Sequence, residues 1–312
     1  MDIKSKIKLP RISLFNPFEN EDKLGLLCWN EYYGGINIAR KYCRLWFFEK
    51  KKNYFLWYHG VIAPWEDSCE LLTYNKVDKE CKYFVATKEQ EDILKKNGYK
   101  NVYSIGLPII YLKSKKIKRY SKTMLIMPSH TLFGEKIINK KILSDFLDLV
   151  IFENKLHNQF DQKNILVCLH SNDIQNGYWL EELKDRGLSY VQGASNNDIN
   201  AYKRQMYLFS QFETMVTNNF GSHVAYALFF GVKVCIKDMT IITDPTIDST
   251  FNLLPNKVKA LSDKKRIIQR DYLNKFYCNL NHSKSDVQLG EYLVGKSNKI
   301  TKNRMKILFD WK

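Results

Sequence analysis

The densest run of chemistry-bearing side chains is Val216-Thr217-Asn218-Asn219-Phe220-Gly221-Ser222-His223, followed by the apolar stretch Val224 to Phe230, then Gly231 and Val232-Lys233-Val234. It reads as a buried strand end, a small polar loop, an apolar helix, a glycine stop and a new buried strand. Gly221, Ser222 and His223 then fall at the helix N-terminus. Unpaired backbone N–H groups and the helix dipole favour an anion such as phosphate there. Glycine lets a ligand approach the backbone. Two readings stand for Ser222: it caps the helix or bonds a phosphate oxygen. Upstream, the apolar run Ile165-Leu166-Val167-Cys168-Leu169 ends in His170-Ser171. His170 is either a ligand for the same anion or a strand-end histidine bonded to backbone.

These residues need a scaffold, and apolar runs alternating with helical patterns supply one. In the first part of the chain, strands are expected at Leu24–Trp29, Leu45–Phe48, Tyr54–Tyr58, Tyr83–Thr87 and Val102–Pro108, with helices at Ile36–Tyr42 and Lys88–Asn97. Residues 113–122 are polar and basic and read as a linker. The alternation restarts with strands at Met124–Pro128, Ile165–Leu169, Ser189–Val191, Thr214–Val216 and Val232–Ile236. Helices are expected within 135–155 and near 178–186, 198–211 and 222–230, and residues 256–312 read as largely helical. Such alternation predicts α/β architecture with mostly parallel sheets covered on both faces. Two such halves imply two Rossmann-like domains facing a cleft, one over 1–112 and one over 123–312. Ligands of open parallel sheets bind beyond the carboxyl ends of strands. Glu31, His59, Ser129, His130, His170 and the 217–223 loop all fall at such ends. Neither a GxGxxG fingerprint nor a Walker A sequence is present, which argues against dehydrogenase and P-loop functions.

Composition narrows the partners. Over 312 residues, 45% are hydrophobic and 14% aromatic, which supports a substantial core. The net charge of +16 favours anionic membranes, phosphorylated substrates or nucleic acid. No Arg-rich arm, RNP-like motif or zinc-finger spacing occurs, so no nucleic acid is expected. The seven cysteines form no CxxC pair, and Cys28, Cys168 and Cys235, inside apolar runs, read as small core residues in a reducing compartment. The first ten residues lack a continuous apolar run, and none of the chain approaches a membrane span. The expected location is cytoplasmic, in contact with the inner face of a membrane.

With these residues in place, the sequence resembles bacterial glycosyltransferases of the GT-B type from capsule and lipopolysaccharide loci. Tyr83-Phe84-Val85-Ala86-Thr87, a helix, and Asn101 to Pro108 look like the strand, helix and G-x-P segment that closes many GT-B acceptor domains. Leu169-His170-Ser171 sits where sialyltransferase-like, Kdo-transferase-like and polyol-phosphate-transferase-like members carry His-Pro. Asn218 to His223 sits where they carry a serine motif. Ser171 replaces the family's proline, and the Asp-Asp-Gly-like acid motif of sialyltransferases is not found.

The resemblance implies a nucleotide-sugar donor in the second domain and a surface-polysaccharide or lipid-linked glycan acceptor in the first. Ser129, His130, His170, Asn218, Gly221, Ser222 and His223 are then donor-binding. A hydrogen-bonding His223 would stabilise charge on the leaving nucleotide phosphate. An inverting transfer needs a base for the acceptor hydroxyl. Glu31 is the first choice, before Gly34-Gly35, and His59 is the rival. No cluster has metal-ligand spacing and no DxD triad occurs, so a metal-independent reaction without a cofactor is expected. The alternatives are a polyol-phosphate transferase of teichoic-acid type and a non-catalytic basic protein binding nucleic acid or glycan.

Overall fold

β-Branched and aromatic runs too short for helices, separated by capped amphipathic segments, dictate the elements found. A computed structural model describes residues 2–14, 32–45, 55–58, 60–62, 64, 69–73, 78–113, 117–128, 130, 135–137, 141–195, 197–237, 243–245, 271 and 274–311. In chain order they form α1 (Ile3–Lys6), α2 (Gly35–Cys43), β1 (Phe55–Trp57), α3 (Cys69–Thr73), β2 (Lys82–Val85), α4 (Lys88–Lys96) and β3 (Val102–Ser104). After these come β4 (Met124–Ile126), β5 (Glu135–Ile137), α5 (Lys141–His157), β6 (Ile165–Leu169), α6 (Ser171–Gln175), α7 (Leu180–Asp185) and β7 (Tyr190–Gln192). The chain continues through α8 (Ala201–Gln211), β8 (Thr214–Thr217), α9 (Ser222–Phe229), β9 (Lys233–Ile236), β10 (Thr243–Pro245), α10 (Val287–Leu293) and α11 (Lys302–Leu308).

The protein is α/β with parallel sheets. β1, β2 and β3 form one parallel sheet in that order. A second parallel sheet has the order β7-β6-β4-β8-β9. In sequence terms this is 3-2-1-4-5, and its order reverses between β4 and β8. That reversal opens a crevice at the carboxyl ends of those two strands. β5 and β10 pair antiparallel outside it. Successive residues of the central strands bury opposite faces. Leu125, Leu166 and Met215 join one apolar cluster, while Ile126, Val167 and Val216 join the other with Phe146 and Trp179. Burial on both faces is why these strands read as unbroken apolar runs.

Local signals explain most boundaries. Thr87 and Gln90 form a reciprocal capping box at the start of α4. Two expectations differ. The helix expected within 135–155 begins only at Lys141, after β5. The helix α6 directly after β6 had no expected counterpart, because His170 caps it with a ring nitrogen rather than with a usual capping residue.

The ends of the chain cross over. The expected division grouped residues 1–112 apart from 123–312. Yet residues 2–14 lie along the second sheet's helices: Ile199 N–H donates to the Ser13 carbonyl at 2.9 Å, Lys8 N–H to Gln211 Oε1 at 2.9 Å, and Arg204 to the Pro10 carbonyl. Conversely, residues 299–311 pack on the first sheet. Phe309 contacts the rings of Phe55, Trp57 and Phe84, and Lys82 pairs with Asp310 at 2.6 Å. Gly106, the glycine of the G-x-P segment, fits here. Its φ is +75°, and a Cβ on it would stand 2.6 Å from the Gly295 carbonyl oxygen. Leu107 N–H then donates to the Val294 carbonyl at 2.9 Å.

Candidate active site

Parallel pairing of β6, β4 and β8 brings three loops to one edge of the second sheet. His130 follows β4, His170 follows β6, and residues 218–223 follow β8. The His130 and His170 rings stack, with centroids 4.3 Å apart and planes at 21°. Burial first, and then the neighbouring His130, push the His170 imidazole down to about 3. His170 Nδ1 accepts the Asn172 N–H at 3.2 Å, so the ring is neutral with its proton on Nε2. Both sequence readings of His170 therefore hold in part: it bonds backbone through one nitrogen and keeps a donor on the other.

His223 is the third member. Burial first, and then His130, push its imidazole down to about 4, against the opposing effect of the Asn219 carbonyl. Thr217 Oγ1 lies 2.8 Å from His223 Nε2, and we assign the tautomer in which Thr217 gives its proton to the Asn219 carbonyl at 3.3 Å and accepts from Nε2. That leaves Nδ1 as the nitrogen able to take a proton. Thr217 is fully buried at the last position of β8. In the sequence it stands at the start of the 217–223 loop without an assigned role; a hydroxyl closing an otherwise apolar strand just before a polar loop is the available signal.

The loop itself differs from a simple cap. Gly221 is the N-cap of α9, with no side-chain capping bond. Ser222 Oγ instead accepts the Val61 N–H at 2.8 Å, tying this loop to the chain beyond β1. A Cβ on Gly60 would stand 2.9 Å from that oxygen, so close approach requires glycine there. Among the described residues the backbone N–H groups of Ser222 and His223 have no partner, as the first turn of a helix dictates. Asn218 is buried beside them. Two unpaired amides, a helix dipole and neutral imidazoles lie together next to exposed His130, an arrangement that can accept an anion.

Glu31, His59 and Ser129 lie outside the described residues. Of the sequence candidates, His130, His170, Asn218, Gly221, Ser222 and His223 thus come to one sheet edge. Among the described residues no group of three or more His, Cys, Asp or Glu side chains is placed to hold a metal ion. No described helix is long and apolar enough to cross a membrane.

No protein-family model and no curated protein matches the chain. Among solved structures it is similar to a mutant of S. aureus TarM in complex with fondaparinux, α-GlcNAc-glycerol and UDP. That match has 12% identity and a TM-score of 0.32, over 76% of this chain and 44% of the other. A second structure of TarM matches at 11% identity and a TM-score of 0.34, over 77% and 45%. The chain spans less than half the length of either, and a likeness at these scores carries no argument about function.

Proposed function

We propose that the chain is a glycosyltransferase of GT-B type, built of two Rossmann-like domains that divide near residues 113–122. It takes a sugar from a nucleotide-sugar donor to a surface-polysaccharide or lipid-linked acceptor, without a metal and with inversion, at the inner face of a membrane. One observation carries the reading. His130, His170 and the amides at the start of α9 converge where the strand order of a parallel sheet reverses, and Ser222 ties that corner to the chain beyond β1.

The chemistry follows from those groups. The α9 amides and Nε2 of His170 bind the donor diphosphate. As the anomeric bond breaks, negative charge builds on the distal phosphate, and a proton held at His223 Nδ1 offsets it. Crossed chain ends and the Val61–Ser222 bond join the two sheets beside this corner, where closure on the donor would exclude water. Glu31 is the proposed base for the acceptor hydroxyl, with His59 as its rival.

Thermal shift against UDP, GDP, CMP and CDP tests the donor site, because a ligand that binds only the folded state raises Tm. One nucleotide should raise Tm in the native chain and fail to do so in His170→Ala. No shift with any of them refutes the donor site.

A further inference from the structure

Two thiols that the transfer chemistry does not use meet beside β9 in the second sheet. Cys235 is fully buried on β9, and Cys278 is half-buried on the segment 276–284 that runs beside it. Single bridges, not a continuous ladder, join that segment to β9: Ile236 pairs with Tyr277, and Val234 with Lys284. The Cys235 S–H donates to the Cys278 carbonyl at 2.9 Å, and the two sulfurs hydrogen-bond each other. The residues stand 43 positions apart in sequence, so folding alone creates the contact.

Charged groups from three places face the pair. Lys237, at the end of β9, donates to the Cys278 carbonyl at 2.8 Å and to both oxygens of Glu153 on α5 at 2.6 Å. Lys284 adds a second cation. The hydrogen bond from Cys235, and then Lys237 and Lys284, bring the Cys278 thiol down to about 7, against the opposing effects of burial and Glu153. The same hydrogen bond and burial push Cys235 up. One sulfur is therefore a nucleophilic thiolate near neutral pH, and its neighbour is a protonated thiol in contact with it. Burial instead pushes Cys43 up to about 11 and Cys168 up to about 12.

We propose that Cys278 and Cys235 form a peroxide-responsive dithiol, in which Cys278 attacks the peroxide and Cys235 resolves the product as a reversible disulfide. The Cys278 thiolate attacks one peroxide oxygen. The O–O bond breaks, and the hydroxide that leaves takes a proton from solvent to become water. Cys278 then carries a sulfenic acid. The Cys235 sulfur attacks the sulfenyl sulfur, the S–O bond breaks, and hydroxide leaves with the Cys235 proton as a second water. Two thiols and one hydrogen peroxide become one disulfide and two waters, two electrons passing from sulfur to oxygen. A thiol reductant reverses the change by exchange. In a reducing compartment such a bond is transient and acts as a sensor. Its place is beside the candidate site: Cys235 lies opposite Val216 in β8, and Lys237 N–H donates to the Thr217 carbonyl at 2.8 Å. The inference does not rest on the transferase reading, and its test uses neither donor nor acceptor.

The folded native chain is treated with hydrogen peroxide, digested without reductant and mapped by mass spectrometry. A peptide linking Cys235 to Cys278 should appear, and dithiothreitol should remove it. In Cys235→Ser, dimedone should trap a sulfenic acid on Cys278 with no linked peptide. In Cys278→Ser, Cys235 should stay reduced at the peroxide level that links the native pair. Without peroxide, iodoacetamide at pH 7 should alkylate Cys278 about 100-fold faster than Cys43. Their thiolate fractions differ by about four decades, and the weaker nucleophilicity of the more acidic thiol offsets about half of that. Circular dichroism verifies that each variant is folded. A native chain whose Cys278 stays reduced, links to another cysteine, or oxidises past sulfenic acid without linking to Cys235 overturns the proposal. So does equal alkylation of Cys43 and Cys278, or oxidation of Cys235 that persists in Cys278→Ser.

Discussion

Protonation of His223 on donor binding can be worked out from the site. In the free protein its imidazole titrates at about 4 and is neutral at neutral pH. A diphosphate at the α9 amides brings negative charge into contact. One unit charge at ~4 Å and an effective dielectric of ~20 contributes about 4 kcal/mol, enough to lift the imidazole to roughly 7. The sign follows from linkage. A pKa raised on binding adds affinity that is fully present below the free-state value and is lost as pH rises through the bound-state value. Affinity for an intact nucleotide-sugar should therefore tighten by about one to two decades between about pH 8 and about pH 5. The diphosphate diester of that ligand does not itself titrate there. His170 should not share the proton, because its Nδ1 already accepts the Asn172 N–H. Calorimetry in buffers of different ionisation enthalpy counts the protons taken up. One proton is expected for the native chain and for His170→Gln, and none for His223→Gln. A flat affinity with no proton uptake in the native chain, or uptake that survives in His223→Gln, refutes the reasoning.

Other outcomes follow from single contacts. Thr217→Val leaves His223 Nε2–H without its acceptor in a buried place, and should cost about 1–3 kcal/mol by urea unfolding while also weakening nucleotide binding. Gly295→Ala would set a Cβ 2.0 Å from the Ala86 carbonyl oxygen at a φ of +69°, and should lower Tm sharply where Gly177→Ala, with open space around it, does so far less. Lys237→Met strands the buried Glu153 carboxylate that Lys237 holds at 2.6 Å, and should destabilise by about 3–5 kcal/mol; the double change with Glu153→Leu should recover much of that in the same unfolding assay. Glu31→Gln should cut turnover by about 10²–10⁴-fold with donor binding kept. Near-normal turnover there, with a dead His59→Ala, moves the base to His59.

The second sheet was the legible part. Its strands are buried on both faces, so Ile165–Leu169 and Met124–Ile126 stand out as apolar runs, and a polar residue closing such a run marks a strand end. That placed His130, His170 and 221–223 at one edge before any contact was known. Partnering between distant segments was not legible. Nothing local in Val61 foretells the bond to Ser222, and nothing in His130 foretells its stacking on His170. Glu135-Lys136-Ile137 is too short to show a strand period, so β5 was absorbed into the following helix. The G-x-P segment was recognisable as a pattern, but the reason for its glycine lies at Gly295, far along the chain.

The crossed packing of residues 2–14 and 299–311 bears on how the chain is made. Residues emerge from the ribosome in order, and domains commonly fold as they emerge. Here the first sheet lacks Phe309 and the Val294–Gly295 edge until synthesis has passed them. Residues 2–14 meanwhile wait for Asp198, Arg204 and Gln211 before they find their hydrogen-bond partners. Such long-range closures are slow steps. A nascent chain stalled before Gly295 would therefore hold an incomplete first sheet with apolar faces bare, and such intermediates are the ones that chaperones engage.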